Sequence, residues 1–154
     1  MRDDAEDRPP QGRFVGRTHR FPLRVYFEDT DAAGIVYHAN YLKFMERARS
    51  DMMRALGLDH AASVRNGEGA YAVAELALKY RRPALLDDAL VVVSTVEGLS
   101  AATSTIHQRV MRGDELIADA TVVAAFLSPD RRPRRQPKAW LDRFRPYLQG
   151  DFAE

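Results

Sequence analysis

The sequence predicts an α+β fold in which one long central helix is wrapped by a curled, mainly antiparallel five-stranded sheet. Three observations predict it. Apolar residues recur three or four apart between Ala39 and Leu56, about five turns, and they cover an unusually broad face. One alternating segment precedes this helix, and four β-type segments follow it with short turn signals between them. The 154 residues suffice for one substantial core and are too few for two ordinary domains.

Taken in order, residues 1–20 carry Arg, Asp, Pro, Gly and Gln with little to bury and are expected to form a mobile tail before a single domain over 21–148. From Leu23 the chain alternates, with Leu23, Val25 and Phe27 on one side and Arg24, Tyr26 and Glu28 on the other. The small, polar stretch from Asp29 to Gly34 reads as a loop. In the helix that follows, Tyr41, Met45, Ala48, Met52 and Ala55 make the stripe, with Leu42, Phe44, Met53 and Leu56 widening it. Asn40 is the expected N-cap and Gly57 the C-terminal stop. Residues 71–80 place Ala72, Ala74, Leu76, Leu78 and Tyr80 on one face of a strand that Arg81-Arg82-Pro83 ends. Strands over 89–97 and 103–111 flank a turn at Gly98-Leu99-Ser100. A tight turn at Arg112-Gly113-Asp114 leads into the long strand from Glu115 to Leu127. A basic run from Arg131 to Lys138 precedes a short closing helix over Trp140 to Leu148, and 149–154 form a C-terminal tail.

Charge and composition exclude several functions. Lys plus Arg number 23 against 22 Asp plus Glu, so the surface as a whole is not built to attract nucleic acid. The absence of cysteine removes disulfides, thiolate nucleophiles and Cys-ligated metals. The acidic N-terminus is unlike a signal peptide, and the longest apolar runs are far shorter than the roughly 20 residues a membrane helix needs. A cytoplasmic protein without stable membrane insertion is expected. The four histidines, at 19, 38, 60 and 107, show no metal-ligand spacing, so neither metal nor cofactor is expected.

The informative segment lies between the first strand and the long helix. Asp29 and Asp31, two residues apart, precede small residues and Gly34, and then His38, Asn40 and Tyr41 at the helix start. Small residues let backbone amides approach a ligand, and a helix N-terminus presents unpaired N–H groups. An oxyanion there would meet donors worth about 2.7–4 kcal/mol each, more than the roughly 0.3–2 kcal/mol of the helix dipole. Taken alone, Asp-x-Asp in a loop is more often turn chemistry, and a lone His beside a helix is more often structural.

The string from Arg24 to Arg49, with Glu28-Asp29-Thr30-Asp31-Ala32-Ala33-Gly34-Ile35-Val36-Tyr37-His38-Ala39-Asn40-Tyr41 at its centre, is more specific. It closely resembles the signature of the hotdog-fold acyl-CoA thioesterases, in particular the 4-hydroxybenzoyl-CoA thioesterase family and its YbgC-type, Tol-Pal-associated branch. The stretch from Tyr80 to Asp88 resembles that family's link between its second and third strands, and the likeness extends from about residue 20 to about 140. The resemblance implies a hotdog fold, a homo-oligomer (dimer or tetramer) with active sites at the dimer interface, and hydrolysis of an acyl-CoA thioester. Carried over by position, Asp31 is the catalytic carboxylate, as general base or nucleophile. His38 matches the motif histidine at the place where a backbone N–H polarises the carbonyl.

Gly34, Tyr37, Asn40 and Tyr41 are the substrate-binding candidates beside them. Cations for the phosphates of coenzyme A are sought among Arg81, Arg82, Arg132 and Arg134, with Arg131, Arg135 and Lys138 nearby. The turn at Gly98-Leu99-Ser100 lacks the basic residue that family members often carry there. The competing readings are another hotdog activity (an acyl-carrier-protein thioesterase or a hydratase) and, further off, nucleic-acid binding through the run from Arg131 to Lys138. That run lacks interleaved aromatics.

Overall fold

A computed structural model describes residues 7–150 and 152–153 of the chain. The strands are β1 (Arg13–Val15), β2 (Thr18–Arg24), β3 (Ala70–Tyr80), β4 (Ala89–Ser100), β5 (Thr103–Arg112), β6 (Glu115–Leu127) and β7 (Phe152–Ala153). The helices are α1 (Asn40–Ala55), α2 (His60–Arg65) and α3 (Lys138–Phe144). The sheet runs β1-β2-β4-β5-β6-β3, antiparallel along this path, and β7 adds to β4 in parallel. The expected architecture is therefore present with a larger sheet: six strands on the main path instead of five, with β7 beside it.

Two apolar clusters hold the layers together. Tyr41, Phe44, Met45 and Ala48 of α1 pack on Leu90, Val92, Val110, Ala118, Ala120 and Val122 of the sheet. Met52, Met53 and Leu56, one or two turns on, meet Val96, Ile106 and Phe126 together with Trp140, Leu141 and Phe144. The stripe read from the sequence is thus the buried face, and Gly57 (φ +76) ends the helix as expected. No helix among the described residues is long and apolar enough to cross a membrane.

Several elements differ from the sequence reading, each for a local reason. The expected tail over 1–20 falls partly outside the described residues, but Arg13–Val15 and Thr18–Arg24 form a hairpin. Fully buried His19 and the Gly12 N–H both bond Asp51 of α1, which fastens the hairpin to the helix. The chain leaves the sheet after Arg24 and turns through a 3-10 segment at Phe27–Asp29, so Val25 is buried and Phe27 is 79% exposed. In β3 a bulge between Val73 and Glu75 reverses the alternation. Tyr71, Val73, Leu76, Leu78 and Tyr80 stand opposite the buried positions of β6, whereas Ala72 stands opposite Ala125 and faces away from the helix.

The turn expected at 98–100 is a second bulge, between Val96 and Gly98, and β4 continues to Ser100. The closing helix stops at Phe144 and gives way to a 3-10 turn at Arg145–Tyr147. Part of the expected C-terminal tail, Phe152–Ala153, pairs with Leu99 and Ser100, while residues 151 and 154 lie outside the described residues. Helix α2, capped by Asp59 through the Ala62 N–H, was not foreseen.

Gly69 combines a close approach with a positive φ. At φ +142, a Cβ there would lie 2.4 Å from the Leu127 carbonyl oxygen. Gly69→Ala is expected to lower the unfolding free energy by about 2–4 kcal/mol, through overpacking and backbone strain together. Denaturant unfolding of the two proteins checks it, and equal midpoints would contradict the close approach.

Candidate active site

The loop from Thr30 to Val36 is a small closed unit. Thr30 and Val36 bridge, the Asp31 N–H donates to Ile35 O, and the Gly34 N–H (φ +78) returns to Asp31 O. One oxygen of the Asp31 carboxylate, Oδ1, accepts the Ala33 N–H at 2.9 Å. That local bond fixes the carboxylate's orientation and leaves Oδ2 without a protein donor among the described residues. Asp31 is exposed, on the wall of an open cleft of about 480 Å³ that it shares with Ile35, Val36, His38, Tyr41, Tyr80 and the Arg81-Arg82-Pro83 segment.

The approach to α1 is held from three sides. The Val36 N–H donates to Ala84 O, the Tyr37 N–H to Asp29 O, and the Tyr80 hydroxyl to His38 O at 2.8 Å. Asn40 Nδ2 also donates to Asp29 O. Asn40 is thus the first residue of α1, and its side chain ties the helix to the preceding 3-10 turn instead of capping it. A helix start has N–H groups with no carbonyl one turn earlier. In α1 the Asn40 and Leu42 N–H groups donate to Tyr37 O and Ala39 O, and His38 and Tyr41 at the helix start line the cleft.

The sequence candidates therefore separate. Asp31, His38, Tyr41, Arg81 and Arg82 line one cleft. Tyr37 lies at its edge with its ring 4.4 Å from that of His38, and Gly34 shapes the loop. The hydroxyl of Tyr41 accepts the Ala84 N–H at 3.2 Å, and burial raises its pKa, so it holds the loop as a neutral phenol. Arg81 is paired with Asp119 at 2.9 Å and Arg82 more loosely with Glu115 at 3.7 Å.

Within the chain, Arg132 and Arg134 do not line this cleft. They follow β6, whose end at Leu127 pairs with Ala70, ten residues along β3 from Tyr80 and about 33 Å away at 3.3 Å per residue. Arg134 donates to the carbonyls of Gly67 and Glu68, and Arg132 faces Asp130. Tyr80 was the functional candidate missed. Its inward place on β3 beside the Arg-Arg-Pro break was legible, but its bond to His38 O depends on the tertiary fold.

A second cavity, of about 270 Å³, lies between α1 and the other end of β3. Its buried wall is Met52, Met53, Ser104, Ile106, Ala124 and Phe144. Half-buried Arg49, His60 and Tyr71 stand around it, and Glu46, Ser50, Ala72 and Val73 form an exposed rim. The polar groups near the wall are engaged: the hydroxyls of Ser104 and Tyr71 both reach Gln136 Oε1, and His60 Nε2 accepts the Tyr71 N–H. Arg49 Nη1 donates to Gln108 Oε1. Burial lowers the pKa of His60, which favours its neutral form.

The model of the Thioesterase-like superfamily matches residues 25–145, which include the Asp31 loop, α1 and strands β3 to β6. The chain belongs to this superfamily. It is 44% identical over 105 residues to the acyl-CoA thioesterase YbgC of Haemophilus influenzae, covering 68% of this chain and 77% of that protein. It is 34% identical over 128 residues to the acyl-CoA thioester hydrolase YbgC of Escherichia coli O157:H7, covering 82% and 95%. Among solved structures, a probable thioesterase from Bartonella henselae aligns with a TM-score of 0.74 at 33% identity, over 78% of this chain and 99% of that one. The superfamily match and these relatives agree with the resemblance carried by the segment from Arg24 to Arg49, and the helix-and-sheet arrangement is the expected hotdog fold.

Proposed function

We propose that the protein hydrolyses acyl-CoA thioesters at the cleft beside α1. The observation that carries this reading is one cleft lined by Asp31 and, at the approach to α1, by His38 and Tyr41, on a superfamily scaffold whose relatives bear the names of acyl-CoA thioesterases. Sulfur donates little resonance to a thioester carbonyl, and thiolate is a good leaving group. A carboxylate and oxyanion donors are therefore sufficient.

In the proposed reaction the thioester oxygen accepts the His38 N–H. Oδ2 of Asp31 either takes a proton from water as it attacks the carbonyl carbon or attacks that carbon itself. The tetrahedral oxyanion collapses, the C–S bond breaks, and the CoA thiolate leaves and is protonated. In the direct-attack route, water then hydrolyses the aspartyl anhydride. Label found in Asp31 after a single turnover in ¹⁸O-labelled water identifies the direct-attack route with water entering at the Asp31 carboxyl, because the water-attack route labels only the product acid. Arg81 and Arg82 offer guanidinium groups to the CoA phosphates at the cleft edge.

Release of free CoA from a panel of acyl-CoAs, read with a thiol reagent, tests the reading. The chain contains no cysteine, so the reagent sees only product. Hydrolysis of none of the panel would overturn it. His38→Ala keeps the backbone amide, so it is expected to lower kcat by less than about tenfold, a smaller loss than the removal of a general base causes. A loss as large as that of an Asp31 variant would assign the essential role to the ring.

A further inference from the structure

Tyr80 is the last residue of β3 and is 51% exposed on the wall of the Asp31 cleft, so burial does not hold its ring there. It has a directed bond instead: its hydroxyl donates to the carbonyl of His38 at 2.8 Å. Inside a helix that carbonyl would receive the N–H of the residue four positions on. The Leu42 N–H goes to Ala39 O instead, at 3.2 Å, and no other donor reaches His38 O among the described residues. A phenol from the sheet thus stands where a backbone amide would close the first turn of α1.

The contact is braced on both sides. The Arg81 and Arg82 N–H groups both donate to Ile117 O, at 2.8 and 3.0 Å, and fix the chain just past Tyr80. The Tyr80 ring meets the rings of His38 and Tyr41 edge-on, with centroids 6.5 and 5.6 Å apart. From the helix, the Tyr41 hydroxyl accepts the Ala84 N–H at 3.2 Å. Two phenols therefore tie the start of α1 and the chain at the end of β3 together in opposite directions.

We propose that Tyr80 is a positioning residue for the hydrolysis: by holding the His38 carbonyl, its hydroxyl aims the His38 N–H at the thioester oxygen, and so sets kcat and not affinity. This rests on the reading of the Asp31 cleft as the hydrolytic centre. The Asn40 N–H donates to Tyr37 O at 2.9 Å and Ala39 lies at φ −73, ψ −19, so residues 37–40 form a turn of helical sense. In such a turn the N–H groups point back toward the helix start and the carbonyls point on along it. His38 therefore carries its N–H at one end and, at the other, the carbonyl that Tyr80 grips. That N–H has no acceptor among the described residues, and a rotation of the residue that re-aims it has to break the phenol bond.

Aim matters most once charge has built up on the oxygen, so a misdirected donor costs the transition state more than the bound substrate. Complete loss of an oxyanion donor costs about 10²–10³-fold in kcat. A donor that is kept but no longer held should cost less, about tenfold. The phenol proton is engaged with the His38 carbonyl, so Tyr80 is assigned no proton transfer to the leaving thiolate.

Tyr80→Phe tests the proposal, because it keeps the ring and removes only the oxygen of a half-exposed group. The expected result is a kcat lower by about tenfold, a KM within about twofold of the wild type and an unchanged melting temperature. The ¹³C resonance of the His38 carbonyl should move, since its donor is gone. In the Asp31→Asn background, affinity for an acyl-CoA should be the same with and without Tyr80→Phe. 3-Fluorotyrosine at position 80 keeps the hydroxyl donor and should retain the wild-type kcat at pH 7.

A Tyr80→Phe protein with wild-type kcat, or with a raised KM alone, would overturn the positioning role, and the second result would place Tyr80 against the substrate instead. A melting temperature that fell together with kcat would assign the hydroxyl to stability and overturn it as well. Loss of turnover in Asp31→Asn beside full turnover in Tyr80→Phe would sink this inference and leave the hydrolytic reading standing. A wild type that hydrolyses no acyl-CoA would remove that reading and the inference with it, while the carbonyl resonance would still report the bond.

Discussion

Replacing Asp31 by asparagine is expected to lower acyl-CoA turnover by at least about 100-fold and to leave thermal stability unchanged. The two side chains have nearly the same shape, and the asparagine Oδ1 can still accept the Ala33 N–H that orients residue 31. What is lost is the basic oxygen, Oδ2. Loss of a general base typically costs 10²–10⁴-fold, so 100-fold is the lower end, equal to about 2.7 kcal/mol in the barrier. Because Asp31 is exposed and makes only local bonds, the unfolding free energy should move by no more than about 0.5 kcal/mol. Steady-state kinetics beside a melting curve separates the two effects. A turnover within threefold of the wild type would remove Asp31 from the chemistry.

The second large effect is structural and lies on the other side of α1. Asp51→Ala is expected to lower the unfolding free energy by about 3–4 kcal/mol. Its Oδ2 accepts the Gly12 N–H at 2.9 Å and lies 2.8 Å from Nε2 of His19, a fully buried ring. In the neutral ring Nε2 is therefore the donor, and Nδ1 is left buried without a partner among the described residues. Removing the carboxylate strands one buried and one half-buried donor at once, and hydrogen bonds to a charged acceptor are worth about 1.5–3 kcal/mol each. For a chain of this size that loss lowers Tm by roughly 6–16 °C, compared at equal protein concentration.

The same pair gives the fold a pH dependence of defined sign. Burial holds the pKa of His19 below its ordinary value of 6.5, against the smaller raising effect of Asp51. The unfolded chain therefore binds the proton more readily than the folded one. The neutral ring's contribution is complete above about pH 6.5 and is lost as pH falls from there through the lower folded value. His60 shifts in the same direction through burial alone. Denaturant unfolding at pH 7.5 and 5.5 checks the sign: His19→Gln should lessen the loss between the two, and a steeper loss in the variant would contradict it.

The parts of the molecule legible in the sequence are those with a long period or a dense motif. The stripe from Tyr41 to Leu56 specified α1, because an apolar face of that breadth has few other uses. The succession Asp31, Gly34, His38, Asn40 pointed to the loop before α1, whereas the bonds that hold that loop, from the Tyr80 hydroxyl to His38 O and from the Val36 N–H to Ala84 O, depend on the tertiary fold. Harder to read were features set by a partner strand. The bulge at Val73/Glu75 reverses the facing of Ala72, yet the residues on either side alternate without interruption. Phe27 resembled a core residue only if the strand continued, and the 3-10 turn at Phe27–Asp29 took it to the surface. Arg132 and Arg134 resembled phosphate ligands by charge alone, whereas the direction of β6 carries them to the far end of β3.

The most direct measurement is a crystal structure of the Asp31→Asn protein soaked with an acyl-CoA it cannot turn over. The account predicts the thioester oxygen about 2.7–3.1 Å from the His38 nitrogen, with the carbonyl carbon within reach of the residue 31 side chain, directly or through one water. A thioester bound elsewhere, or a carbonyl turned away from the start of α1 with the helix amides on solvent, would contradict it.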